Sequence, residues 1–104
     1  MKVYREYSPE QKMVDAKTGL EIISINSYLH GVYAVVEVKG VKREEFEPNT
    51  YGKVLLTLTG VGISRKSEKD SWDIEKGVKI AEGRAYKALE TKFKGKPINK
   101  PFMG

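Results

Sequence analysis

The strongest constraint on this chain lies between residues 74 and 89. Ile74, Gly77, Val78, Ala81, Ala85, Ala88 and Leu89 recur at helical spacing and form one apolar stripe. Four of the seven are Gly or Ala, so the spacing predicts a helix that lies very close to whatever it covers. Asp70 and Asp73 are both suitable N-caps, with Glu75 in the first turn for the Asp73 choice. The helix is expected from about Asp73 to Phe93. Gly83 lies off the stripe, where an interior glycine costs about 1 kcal/mol relative to alanine with no packing gain to offset it.

A helix with one apolar face needs a sheet or another helix beneath it, and the preceding residues supply strands. Leu20 to Leu29 is rich in isoleucine, although Ile22-Ile23 interrupts the alternation. His30-Gly31 predicts a tight turn. Val32, Ala34, Val36 and Val38 then alternate with Tyr33, Val35 and Glu37, and Gly40 is expected to close that strand. Residues 41–52 show no period and predict a loop. Lys53 to Thr59 resumes the sheet with Val54, Leu56 and Leu58 as the expected buried row; the apolar parity then moves to Val61 and Ile63, which predicts a bulge at Gly60. Ahead of these strands, Ser8-Pro9-Glu10-Gln11 reads as a helix start for residues 8–16, with a strand or irregular arm as the competing reading.

The fold class that follows is α+β: a three-stranded antiparallel sheet packed by a long C-terminal helix, with a short N-terminal helix in front, in the order α-β-β-β-α. One domain over residues 1–93 and a basic, extended tail over 94–104 account for all 104 residues.

Charge is unevenly placed. Residues 1–60 and 61–83 are each neutral overall, whereas the last 21 residues carry Arg84, Lys87, Lys92, Lys94, Lys96 and Lys100 against Glu90 alone, so the whole net charge of +5 lies there. Concentrated positive charge attracts phosphate backbones. Catalysis is not expected. The chain has no cysteine and one histidine, His30, which reads as a surface turn residue, and Glu44, Glu45 and Glu47 lack the spacing of a calcium loop. Gly60-Val61-Gly62-Ile63-Ser64-Arg65-Lys66-Ser67 fails as a phosphate loop because Arg65 stands where glycine must precede Lys-Ser, and it lacks the third glycine of a dinucleotide fingerprint. No cofactor or metal is expected. No membrane span is expected either, since no stretch reaches 18 apolar residues, and the lack of cysteine fits a reducing cytoplasm.

Gly60-Val61-Gly62-Ile63-Ser64-Arg65-Lys66, leading into Ala81 to Leu89, resembles the C-terminal half of a double-stranded RNA-binding domain. The resemblance implies that Gly60, Gly62 and Ser64 form a turn after the third strand, that Arg65 and Lys66 meet phosphates, and that Ala81, Ala85, Ala88 and Leu89 pack on the sheet. Residues 67–76 lengthen the link between basic pair and helix and add Asp70 and Asp73. The stretch from Gly62 to Ala85 is also similar to a group of small uncharacterised bacterial and phage proteins with a fold of that type.

Two functions are therefore expected. The first is non-catalytic nucleic-acid binding, RNA or DNA, through phosphate contacts by Arg65, Lys66, Lys69, Lys92, Lys94 and Lys96 on one continuous surface, with Trp72 and the six tyrosines as stacking surface or core. The second is a protein-interaction or structural module, homo-oligomeric through an exposed edge strand or a tyrosine-bearing face.

Overall fold

The computed structural model describes residues 2–43, 54–65, 73–95 and 102–103. It is an α+β fold: an antiparallel sheet of four strands, β1 (Lys2–Tyr7), β2 (Glu21–His30), β3 (Tyr33–Arg43) and β4 (Val54–Arg65), with one helix, α1 (Ile74–Phe93). Sheet order follows chain order, and a two-residue strand β5 (Phe102–Met103) joins β4 in parallel at Gly62 and Ile63. The 94–104 segment is thus partly docked rather than wholly a free tail.

The helix matches its sequence signature closely. Asp73 is the N-cap, its carboxylate accepting from the Lys76 N–H at 3.4 Å, and Gly77, Val78, Ala81, Ala85, Ala88 and Leu89 are buried. Only Ile74 of the stripe stays exposed. Beneath lie Leu20, Ile22, Ile25, Ala34, Val36 and Val38, which complete a core on one face of the sheet. The β2–β3 hairpin turns at Gly31, whose φ of 57° places it in the left-handed region that glycine tolerates best. The broken alternation at Ile22-Ile23 is a register shift between Ile22 and Ser24.

Several expectations are overturned. No helix forms over residues 8–16; an added strand, β1, precedes them instead. The segment after it bonds along β2, with the Ile22 N–H donating to the Met13 carbonyl at 2.8 Å and Val14 bridged to Glu21. A tight turn at Asp15–Gly19, where Thr18 Oγ1 donates to Asp15 Oδ2 at 2.6 Å, then leads Leu20 into the core. A helix this short needs a packed face, and here the backbone groups find partners on a strand.

Gly40 does not close β3, which runs on to Arg43 because Gly40 keeps its pairing with Ile22 and Leu58. Nor is there a bulge at Gly60: the β3–β4 register is unbroken from Tyr33↔Arg65 to Lys42↔Leu56. The parity change has another cause. Gly60, Gly62 and Ser64 occupy the helix-facing positions, so Val61 and Ile63 fall on the far face. These three residues lie within β4, not in a turn after it. A Cβ on Gly62 would sit 2.0 Å from the Ala81 carbonyl oxygen, and one on Gly60 2.2 Å from that of Ala85. The small-residue helix packs on bare strand backbone. Conversely, Val54 and Leu56 are exposed and Leu58 is half-buried, so the expected buried row of β4 is largely open. Of the loop expected over 41–52, residues 41–43 belong instead to β3, while residues 44–52, like Trp72 and Asp70, lie outside the described residues.

Candidate functional site

α1 runs antiparallel to β4. Ser64 Oγ donates to the Gly77 carbonyl at 2.7 Å near the start of the helix, while Lys92 reaches Thr59 near its end. This arrangement decides where the basic residues go. Arg65 ends β4, exposed, paired in register with Tyr33 and with its guanidinium 6.0 Å from that ring's centroid, a cation–π distance. Lys92 lies six strand positions away, about 20 Å at a rise of about 3.3 Å per residue. The structure therefore does not bring Arg65 together with Lys92 and Lys94 as one continuous basic surface. Lys66, Lys69 and Lys96 lie outside the described residues.

Much of the C-terminal positive charge also has a local partner. Arg84 Nη1 donates to the Ile63 carbonyl at 2.7 Å, Lys92 Nζ to the Thr59 carbonyl at 2.6 Å, and Lys94 Nζ to Glu90 Oε1 at 2.6 Å. The Lys94 ammonium, first through that hydrogen bond, holds the Glu90 carboxyl below its ordinary range. Arg84 and Lys92 act as a pair. Eight residues of helix advance about 12 Å, and the four strand residues from Thr59 to Ile63 advance about 13 Å. Two cations on one helix flank thus meet two carbonyls along one strand edge. A tally of charge could not reveal this, but the spacing of 84 and 92, both flanking the apolar stripe, carries the signal.

A second cluster ties the edge strand β1 to the start of the helix. Glu75 accepts a short hydrogen bond from the Tyr4 hydroxyl and another from Arg5 Nη2 at 2.8 Å. The Tyr4 hydrogen bond and then the Arg5 charge lower the Glu75 carboxyl, and the bond to Glu75 raises the Tyr4 phenol. Three turns farther along the helix, burial raises the Tyr86 phenol, whose hydroxyl has no hydrogen-bond partner among the described residues.

The sheet face turned away from α1 is the other notable surface, and no described element packs on it. Register and alternation place Val3, Tyr28, Val35 and Ile63 in one row across all four antiparallel strands. On one side of that row stand His30, Tyr33 and Arg65; on the other stand Glu6, Asn26, Glu37 and Val61. Val3 is 50% exposed, and Tyr28, Val35 and Ile63 are half-buried. An apolar row therefore separates a margin bearing Arg65 from one bearing Glu6 and Glu37, beyond which Lys39 stands on the same face.

A third surface is the far end of the β3–β4 hairpin. β2 begins at Glu21, opposite Val41, and the core beneath the helix reaches along β4 to Leu58, so Lys42 and Arg43 with Val54–Thr57 lie beyond both. Val54, Leu55 and Leu56 are 40%, 59% and 39% exposed there. No family model matches this chain, and no curated protein or solved structure proved similar to it.

Proposed function

We propose that the chain is a non-catalytic, self-associating protein-interaction module. The observation that carries this reading is the exposure of large apolar side chains on both faces of β4, Val54 and Leu56 on one and Leu55 on the other, on a strand half that among the described residues neither the helix nor β2 covers. Burying apolar side chains of this size is worth about 1.5–3 kcal/mol each when complete, and contiguous exposed apolar surface marks contact sites. Concentration-dependent sedimentation tests the reading. The wild-type chain should gain mass as concentration rises, and Leu55→Glu should weaken that gain while preserving the far-UV circular dichroism. A chain that stays monomeric at every concentration overturns it.

One observation favours a second reading. Arg65 is exposed beside Tyr33 at the end of β4, and Lys66 and Lys69 follow in sequence. Such a corner suits phosphate contact with aromatic support, in line with the resemblance to double-stranded RNA-binding domains. It calls for binding by this corner alone, without Lys92 or Lys94. Titration with duplex RNA, duplex DNA and single strands at about 50 and 200 mM salt tests it, since phosphate binding must fall steeply with salt. Absence of binding to all of them at low salt ends it.

A further inference from the structure

We infer that the open sheet face seats a second copy of this chain, the two sheets stacked face to face about a twofold axis that runs across the strands along the Val3–Tyr28–Val35–Ile63 row. This inference rests on the self-association reading and adds a second contact surface to the hairpin end. The argument is one of charge symmetry. Rotation by half a turn about that row exchanges its two margins, so the row of His30, Tyr33 and Arg65 comes to lie over the partner's Asn26, Glu37 and Val61. Tyr33 falls opposite the partner's Glu37, where its hydroxyl can donate to the carboxylate. Arg65, one strand over, is offset from that carboxylate by about 4.8 Å, within the reach of its side chain. His30 falls opposite the partner's Asn26. The apolar row closes on itself, as an isologous interface requires.

Within one chain, Arg65 and Glu37 do not meet. Arg65 is paired with Tyr33 and Glu37 with Val61, four strand positions apart, or about 13 Å. Their complementarity has meaning only between copies. A nucleic acid fits the face less well, because Glu6 and Glu37 line one side of the apolar row and repel phosphate. Stacked sheets also suit the geometry, since faces of alternating residues pack about 10 Å apart with strands nearly aligned. The face measures on the order of 20 Å on a side from four strands and three rows, at the small end of specific interfaces. The dimer is therefore weak and in rapid exchange.

Charge reversal tests this directly. By sedimentation equilibrium from about 10 µM to about 1 mM, the wild-type mass should rise toward twice that of the monomer. Glu37→Arg and Arg65→Glu should each weaken dimerisation about tenfold or more, and the double variant E37R/R65E should recover it. A second measurement leaves the charges untouched. The chain lacks cysteine, so Val35→Cys on the axis should cross-link to its partner with a short bis-maleimide, while Lys79→Cys on the exposed side of the helix should not. A dimer indifferent to both reversals, lost in Leu55→Glu and uncross-linked through Val35→Cys overturns the inference and leaves the hairpin end as the contact. A chain monomeric throughout overturns both the inference and the reading beneath it.

Discussion

The two halves of β4 invert the usual relation between hydrophobicity and burial. The half from Gly60 to Ser64 carries two glycines and a serine on its helix-facing side, and all three are buried. The half from Val54 to Leu56 carries large apolar side chains, and all three are exposed. What separates them is the helix, which reaches only part of the way along the strand. A buried position is defined by what lies above it, and above Gly60 and Gly62 the helix backbone is too near for any side chain. The lesson is that a strand's core-facing row can be written in missing side chains.

That contrast can be broken most severely at Gly62. Gly62→Ala puts a methyl 2.0 Å from the Ala81 carbonyl, a clash with backbone that no rotamer relieves. The expected loss is about 3 kcal/mol, seen as a large drop in thermal midpoint or failure to fold. The same substitution at Gly83 sharpens the point from the opposite side. A Cβ there meets nothing within 4 Å, so Gly83→Ala should stabilise the chain by about 0.5–1 kcal/mol in denaturant titration. In the exposed half, Leu55→Glu should shift stability by only about 0.5 kcal/mol or less, because the monomer gives that side chain little to lose.

The smallest effect concerns the Glu75 cluster at the other end of the helix. Its carboxyl titrates lower in the folded chain than in the unfolded one, so its bonds to Tyr4 and Arg5 contribute above the ordinary carboxylate pKa of about 4.3 and fade as pH falls below it. The raised Tyr4 phenol sets the opposite limit, its contribution being lost as pH rises beyond about 10. The protection of the β1 amides, taken relative to their intrinsic exchange rate at each pH, should therefore be greatest between these limits and fall outside them, with the second half of α1 unaffected.

How much of this was legible depended on what the pattern recorded. The helix stripe, the Asp73 cap, the Gly31 turn and the alternation of β3 all express side chains meeting a core, and reading side chains recovers them. β1 was missed because an edge strand leaves almost no apolar signature: only Tyr4 in Lys2–Tyr7 is better than exposed. Ser8-Pro9-Glu10 did carry a local helix-start signal, but the backbone at Met13 and Val14 found its partners on β2. The buried role of Gly60 and Gly62 was invisible to a search for apolar residues, and their parity imitated a bulge. Among the C-terminal cations, sequence showed that Arg84 and the candidate binding residues Lys92 and Lys94 are positive but not that each already has a partner. The open face was half legible, since Tyr28 and Tyr33 read as surface or interface aromatics while the sorting of charges around them needed the register.

Arg84 and Lys92 have one more consequence. They hold the Ile63 and Thr59 carbonyls on the edge of β4 away from β3, where β5 already pairs at Gly62 and Ile63. A strand from another copy could run along that edge only after displacing β5 and evicting Lys92 from the Thr59 carbonyl, so growth of copies into an endless ribbon is obstructed. Attachment through faces stops at two copies, whereas attachment through rims need not stop at all. The helix guards the rim with the same residues that make the chain look ready to bind something else.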